Sequence, residues 1–185
     1  MEQKKDIRSL SKDELIERIV SMGQKPFRAK QVYEWLWKKS AHSFDEMTNI
    51  ANELREQLSK EFVINAVTIA DEQHSNDGTI KSAFKLHDNN IVEGVLIPKE
   101  KRMTACVSSQ VGCSLTCKFC ATGRLKRERN LTADEIYDQV VHVGNQAQKA
   151  HGHPLTNIVY MGMGEPLLNY KNVLESVEKI TSHEG

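Results

Sequence analysis

The stretch that decides the fold of this sequence is a loop with three cysteines, Cys113-Ser114-Leu115-Thr116-Cys117-Lys118-Phe119-Cys120. The cysteines are spaced C-x3-C-x2-C and follow a predicted strand. Three thiolates this close together can bind three corners of a 4Fe-4S cube, which leaves the fourth iron without a protein ligand. An iron with an open position can bind a small molecule and deliver an electron to it. We therefore predict a 4Fe-4S cluster on Cys113, Cys117 and Cys120.

Two alternatives compete with the cluster at these residues. Structural zinc takes four ligands, and the nearest histidine, His142, lies in a predicted helix beyond a basic stretch. The other alternative is three unrelated core cysteines, but the loop is polar and its cysteines are tightly clustered. The spacing and its surroundings therefore favour the cluster.

The segment around the cysteine loop alternates strand and helix. Thr104–Ser109 is a predicted strand, Thr132 begins a helix with a capping box, and Asn157–Met161 is a second strand, predicted to be buried. With a helix over Lys171–Thr181, this order is typical of a parallel sheet in an α/β fold. Two βα units cannot close a barrel, and Thr181–Gly185 has the character of a helix end rather than a domain end. We therefore expect an N-terminal fragment of a longer protein.

Upstream of the α/β segment the sequence pattern changes twice. Residues 63–98 contain three strand-like runs separated by turn-forming clusters, which predicts a short antiparallel β linker. Residues 1–62 predict a helical domain of three helices, which begin at Ser11, Ala29 and Ser43. The side chains expected to form its core are Leu15, Ile16, Ile19, Val20, Val32, Tyr33, Trp35, Leu36, Trp37, Met47, Ile50, Ala51, Leu54 and Leu58.

The composition is that of a globular protein. Of the 185 residues, 39% are hydrophobic and 27% charged, and the mean hydropathy is −0.51. These values disfavour disordered, collagen-like and coiled-coil classes. No apolar run approaches the ~20 residues of a membrane span and no signal peptide is visible, so we expect a cytoplasmic protein with no membrane partner. All four cysteines lie between Cys106 and Cys120, which in the cytoplasm favours metal or redox chemistry over structural disulfides.

A net charge of zero conceals a basic segment. Residues 99–130 contain eight basic and two acidic side chains, for a net charge of +6. The basic residues are Lys99, Lys101, Arg102, Lys118, Arg124, Lys126, Arg127 and Arg129. Although a charge run is usually a solvated face, one around a predicted cofactor site favours contacts with RNA phosphates.

Two motifs make the sequence resemble the radical S-adenosylmethionine (SAM) enzymes. These carry C-x3-C-x2-C with an aromatic residue before the third cysteine, and Phe119 stands at that position here. Met161-Gly162-Met163-Gly164-Glu165-Pro166 follows the next predicted strand and is similar to their Gly-Gly-Glu-Pro motif, which contacts the amino group of SAM. A Gly-Glu-Pro turn alone would be weak evidence, but its place one βα unit after the cysteine loop strengthens it.

Longer strings resemble one family within that group, the RlmN-type adenine-C2 methyltransferases of 23S ribosomal RNA and transfer RNA. These strings are Lys25–Leu36, Ala105–Cys113, Phe119–Gly123, Arg129–Leu131 and Met161–Leu168. The resemblance implies an α/β fold in which residues 99–185 begin a partial (β/α)6 radical SAM barrel, truncated after two βα units. It also implies that residues 1–62 are an accessory RNA-binding domain.

The resemblance further implies the cofactors, partners and site residues. The cofactors would be a 4Fe-4S cluster and SAM, with Gly164 and Glu165 at SAM. The partners would be 23S rRNA, tRNA and a flavodoxin- or ferredoxin-type electron donor, and we expect a monomer. In this family one SAM methylates a late cysteine, and a second SAM yields a radical that activates the methyl group for addition to C2 of adenine. This chain lacks that late cysteine, so we expect it to be inactive alone.

Two more residues have roles implied by the resemblance. Glu93 would be the proton acceptor, and Cys106 the thiol that forms a transient disulfide with the methyl-carrying cysteine as the RNA adduct is resolved. From the residues alone, Glu93 is either a charge on an exposed edge or partly buried with a raised pKa, and Cys106 could be a small core residue. The alternatives for the whole protein are another radical SAM enzyme and a non-catalytic, zinc-containing RNA-binding module.

Overall fold

The computed structural model describes residues 4–182 and divides them into two compact units. One unit contains residues 4–65 together with 179–182, and the other spans Ala66–Glu178. The expected division into three parts, with residues 63–98 as a linker, differs from this arrangement. The part of the predicted helix end at His183–Gly185, like Met1–Gln3, lies outside the described residues.

The first unit is helical with one small pair of strands. Its elements are β1 (Lys5–Asp6), α1 (Lys12–Ser21), α2 (Phe27–Trp37), α3 (Asn52–Glu61) and β2 (Phe62–Val63), and β1 pairs with β2 in parallel. The capping box at Ser11 is confirmed, because its hydroxyl accepts the Glu14 N–H while the Glu14 carboxylate accepts the Ser11 N–H. Leu15 and Ile19 are buried on one stripe of α1, as expected, whereas Val20 is 47% exposed.

The third helix begins nine residues later than predicted. The Glu46 carboxylate accepts hydrogen bonds from the Ser43 hydroxyl and the His42 N–H, so the Ser43 hydroxyl acts as a donor and caps nothing. Only a short 3₁₀ turn, Phe44–Glu46, forms there, and α3 starts at Asn52. Met47 and Ile50 are still buried, but Ala51 is exposed. The predicted core is therefore largely correct although the helix boundary was wrong.

The second unit is built on one five-stranded sheet. Its elements are β3 (Thr68–His74), β4 (Ile80–Lys85), β5 (Ile91–Lys99), β6 (Arg102–Cys106), β7 (Gln110–Val111), β8 (Arg129–Asn130), α4 (Ala133–His151) and β9 (Asn157–Val159), followed by α5 (Tyr170–Thr181). The strand order is β3-β4-β5-β6-β9, antiparallel except for the parallel pair β6 and β9. The predicted meander is therefore part of the same sheet as the βα units.

The two faces of this sheet differ. Helix α4 contacts β5 and β6, and the strand residues on that side, such as Phe84, Val92 and Leu96, are fully buried. On the opposite side, which we call the distal face, Ile91 and Ile97 are 42% and 43% exposed. Strand β9, at one end of the strand order, is only half-buried, so the prediction of a buried strand was wrong. Among the described residues, no helix is both long and apolar enough to span a membrane.

Candidate cofactor site

A pair of short strands closes the cysteine loop. β7 and β8 pair in antiparallel fashion, so the chain leaves and returns at the same place. The Glu128 N–H donates to the Val111 carbonyl oxygen at 2.9 Å, and a 3₁₀ turn at Thr122–Arg124 follows the last cysteine. Gly112 has φ +71°, and a Cβ atom there would collide with the Lys126 carbonyl oxygen, so this entry to the loop requires glycine. The loop therefore begins and ends at the paired strands β7 and β8, which hold its two ends together.

Backbone groups of the loop are directed at two of its sulfur atoms. The Leu115 N–H donates to Cys113 Sγ at 3.4 Å. Backbone N–H groups of Gly123 and Thr122 lower the pKa of the Cys120 thiol, since they stabilise its thiolate. The thiolate is the form of cysteine that binds metals. A Cβ atom at Gly123 would lie 3.1 Å from the carbonyl oxygens of Leu115 and Cys117, so the turn wraps closely around the loop.

The donor set fits a 4Fe-4S cluster with one open iron. Cys113 and Cys120 are partly exposed and Cys117 is exposed, and all three are free thiols. Beside them lies a cavity of about 490 Å³, lined by Cys113, Ser114, Thr116, Gly123, Arg124, Leu125, Lys126 and Arg127. Within residues 4–182, no three His, Cys, Asp or Glu side chains are grouped to hold one metal ion. In a cluster each thiolate binds a different iron, so the three cysteines need not converge on a single ion.

The Gly-Glu-Pro segment lies against the chain that leads into the cysteine loop. The Ser109 and Gln110 N–H groups both donate to the Met163 carbonyl oxygen, at 2.9 and 3.2 Å. In return, the Met163 N–H donates to the Ser108 hydroxyl at 2.8 Å, and the Glu165 N–H donates to Gln110 Oε1 at 2.9 Å. The segments that follow the parallel strands β6 and β9 are therefore joined, at the sheet edge where α/β folds bind ligands.

Two glycines make this close contact possible. Gly164 has φ +92°, and a Cβ atom there would lie 2.5 Å from Gln110 Cβ. At Gly162, a Cβ atom would lie 2.7 Å from the Ser108 hydroxyl oxygen. Glu165 is half-buried and begins a short 3₁₀ helix, where its carboxylate accepts the Leu167 N–H at 3.1 Å. The structure thus places Gly164 and Glu165 against the residues that lead into the cysteine loop.

Glu93 and Cys106 share the distal face of the sheet. In the register of β5 and β6, Val95 is opposite Cys106, so Glu93 is the diagonal neighbour of Cys106. Burial raises the pKa of the Cys106 thiol, against a weaker hydrogen bond from the Met161 backbone.

Glu93 is on an interior strand but remains accessible. Its side chain is 49% exposed, and its carboxylate oxygen Oε1 lies 2.7 Å from Lys81 Nζ on β4. The sequence offered an exposed edge or a partly buried site, and the structure excludes the edge, because β5 has neighbours on both sides. The sequence did not single out Lys81 as a neighbour of Glu93. Its only indication was the position of Lys81 in the alternation of buried and more exposed residues along β4.

One cation of the basic segment is not available for phosphate. Arg129 donates to both carboxylate oxygens of Glu135 at 2.7 Å and to Asp88 Oδ2 at 2.6 Å. Burial alone would raise the pKa of Asp88, but hydrogen bonds from Arg129 and Asn90 outweigh it and hold that pKa below its usual range. Arg129 therefore pairs with two carboxylates of the chain itself, which neutralise its charge. The remaining cations from Arg124 to Arg127 are exposed.

Replacing Arg129 by glutamine is expected to destabilise the chain by about 3 kcal/mol, because the Glu135 side chain is 2% exposed and would keep a buried charge without its partner. Urea unfolding at neutral pH measures the loss. The ionised Asp88 carboxylate contributes to the free energy of unfolding at neutral pH. This contribution disappears as the pH falls through the lowered pKa of Asp88. The matched control is Arg127→Gln, an exposed neighbour expected to change stability by no more than ~0.5 kcal/mol. Equal unfolding midpoints for the two variants would contradict the structural role of Arg129.

The sequence of this chain is similar to those of known proteins. The family model described as the ribosomal RNA large subunit methyltransferase N-terminal domain matches residues 5–64, and the radical SAM superfamily model matches residues 107–183. A protein of Cytophaga hutchinsonii named "Probable dual-specificity RNA methyltransferase RlmN" is 62% identical over 99% of this chain and 50% of its own length. The dual-specificity RNA methyltransferase RlmN of an Anaeromyxobacter species is 43% identical over the whole chain and 50% of its own length.

A solved structure shows the same likeness. The crystal structure of a radical SAM methyltransferase from Sphaerobacter thermophilus matches with a TM-score of 0.86 at 40% identity, over 98% of this chain and 53% of that one. The predicted radical SAM fold with mixed α and β content is thus confirmed. The chain spans about half the length of the curated relatives it matches.

Proposed function

This chain belongs to the RlmN family, and on that basis we propose that the whole protein methylates C2 of adenine in 23S rRNA and tRNA. The observation that carries the proposal is the junction of the cysteine loop with the Gly-Glu-Pro segment, through the hydrogen bonds to Met163. A radical SAM enzyme needs its cluster loop and its SAM-binding loop side by side. The names of the relatives support RNA as the methyl acceptor.

The cofactors of the proposed reaction would be held by residues of both loops. Cys113, Cys117 and Cys120 would hold a 4Fe-4S cluster, and Gly164 and Glu165 would contact SAM. When bound, these groups supply the methyl group and the electron for radical formation, which an electron-poor carbon such as adenine C2 requires. The role of the chain is to hold the two cofactors together and exclude competing reactions.

Glu93 and Cys106 would complete the reaction after the RNA is joined to the enzyme. The radical adduct would lose its C2 proton to the Glu93 carboxylate and its unpaired electron to the oxidised cluster, which would restore the aromatic ring. The Cys106 thiol, after losing its proton, would then bond to the sulfur of the methyl-carrying cysteine while the bond from that sulfur to carbon breaks. The released carbon keeps the electron pair and takes up a proton to become the methyl group. Their diagonal placement on the distal face supports this assignment, since both would act on the same adduct.

The remaining parts of the proposal concern architecture and partners. Residues 99–185 begin a partial (β/α)6 barrel, and residues 1–62 are an accessory RNA-binding domain. Exposed cations around the cysteine loop, such as Lys118, Arg124 and Lys126, contact RNA phosphates. The protein acts as a monomer in the cytoplasm with a flavodoxin- or ferredoxin-type electron donor.

Incubating the anaerobically reconstituted whole protein with SAM, reduced flavodoxin and 23S rRNA tests the proposal. We expect 2-methyladenosine in the digested RNA, measured by mass spectrometry, and none when the reductant is omitted. Ordinary methyl transfer from SAM would continue without reductant and would contradict radical chemistry. A colourless protein that binds zinc and RNA but yields no methylated base would instead identify a binding module.

A further inference from the structure

We propose that Ser108 and Gln110 are positioning residues for SAM, because their side chains hold the turn Met163-Gly164-Glu165 in one conformation. The proposal rests on the proposed contact of Gly164 and Glu165 with SAM. The Ser108 hydroxyl accepts the Met163 N–H at 2.8 Å. Gln110 Oε1 accepts the Glu165 N–H at 2.9 Å. One side chain therefore holds the backbone on each side of Gly164.

Regular secondary structure does not fix this turn. It lies between the end of β9 at Val159 and a 3₁₀ helix that starts at Pro166. Gly164 has φ +92°, and glycine can adopt many other conformations as readily. Backbone hydrogen bonds hold the Met163 carbonyl oxygen, but the N–H groups of Met163 and Glu165 are held by side chains. The shape of the turn therefore depends on Ser108 and Gln110.

The Ser108 hydroxyl is oriented by a second partner. It is fully buried and donates its hydrogen to the Glu93 carbonyl oxygen at 2.6 Å. A hydroxyl has one hydrogen, so with that hydrogen on Glu93 its lone pairs are left for the Met163 N–H. Because Glu93 belongs to the interior strand β5, the hydroxyl ties the turn to the sheet.

The Gln110 side-chain amide is oriented in a similar way. It is fully buried, and its Nε2 donates to Asn130 Oδ1 at 2.7 Å. Arg127 donates to the same oxygen at 2.9 Å, while Asn130 Nδ2 donates to the Leu168 carbonyl oxygen. Asn130 therefore presents an acceptor to Gln110, which directs the amide nitrogen of Gln110 to Asn130 and its oxygen to the Glu165 N–H.

Removing either acceptor would leave a backbone N–H without a partner in the interior, which is unfavourable. We expect the turn to relax into other conformations in which this N–H is satisfied. Binding of SAM must then restore the original conformation, and affinity falls by the free energy that this costs. Saturating SAM would still restore the turn, so the KM for SAM should rise while kcat stays close to that of wild type.

The experiment measures binding of S-adenosylhomocysteine to the whole, anaerobically reconstituted protein by equilibrium dialysis. This probe keeps the amino and carboxylate groups of SAM but has no methyl group to transfer, so no turnover accompanies binding. We expect Ser108→Ala and Gln110→Met each to raise its Kd about tenfold. Iron content should equal that of wild type. In turnover assays, the KM for SAM should rise by a similar factor without a matching loss of kcat.

The matched control is Ser82→Ala. Ser82 on β4 is as buried as Ser108, and its hydroxyl accepts a hydrogen bond from the Gln146 side-chain amide at 2.7 Å. This variant should lose stability in urea unfolding but bind the probe as wild type does. Equal losses of affinity in Ser82→Ala and Ser108→Ala would reveal a general effect of stability and overturn the proposal.

The outcomes separate this proposal from the proposed function. If both variants bind the probe with the Kd of wild type, Ser108 and Gln110 have no positioning role, whatever RNA product wild type forms. If the variants lose affinity but wild type yields no 2-methyladenosine, the positioning role holds and the RNA reaction is wrong. Should Gln110→Met fail to fold, Ser108→Ala decides alone, since it removes only one oxygen atom.

Discussion

Cys117→Ser will abolish the iron–sulfur cluster of the reconstituted protein and, with it, all methylation of RNA. Cys117 is the middle cysteine of the loop and the most exposed of the three. Two thiolates cannot hold the cube in the way that three can, and a serine hydroxyl remains protonated where a thiol ionises. Iron content should fall from about four atoms per chain to a small fraction of that. Iron and sulfide analysis, together with visible absorbance, measures this loss independently of activity.

The control for this prediction is the fourth cysteine of the chain. Cys106 lies on β6, seven residues before the loop, and is half-buried with a raised pKa. Cys106→Ser should therefore keep the iron content and absorbance of wild type while losing turnover. If Cys106→Ser loses the cluster and Cys117→Ser keeps it, the assignment of the loop is wrong. Zinc bound in place of iron after anaerobic reconstitution would count equally against it.

The capping-box pattern correctly predicted two helix starts and failed at a third, where the same two side chains form a different hydrogen bond. Ser11 and Thr132 both begin helices through capping boxes, as the pattern predicted. Ser43 has the same spacing to Glu46, yet the Glu46 carboxylate takes the Ser43 hydroxyl as a donor and no helix starts there. In all three segments a Ser or Thr is followed three residues later by Glu, so the sequence alone could not show that no helix starts at Ser43.

At the candidate site, contacts between residues that are far apart in the sequence could not be predicted. The three cysteines and the Gly-Glu-Pro segment could be found by spacing, because each motif is contiguous in the sequence. Lys81 could not, since its contact with Glu93 depends on how β4 pairs with β5. The ion pairs of Arg129 could not be predicted either, because its partners Asp88 and Glu135 lie 41 and 6 residues away. Charge counted along a segment does not reveal which cations are already neutralised.

Glu93→Gln will stop the reaction after the RNA has become covalently attached. Glutamine keeps the size and much of the hydrogen bonding of the side chain but cannot accept the proton from C2. Because the side chain is half exposed on the distal face, the substitution should leave folding, cluster content and methylation of the cysteine unchanged. The enzyme should therefore accumulate as a protein–RNA adduct, seen as a slow band on denaturing gels, while methylated RNA is not released. Glu93→Asp separates proton transfer from geometry: with a shorter carboxylate it should release RNA slowly, whereas a merely structural role would give the Gln and Asp variants equal rates. Turnover by Glu93→Gln at the wild-type rate would assign the base to another group.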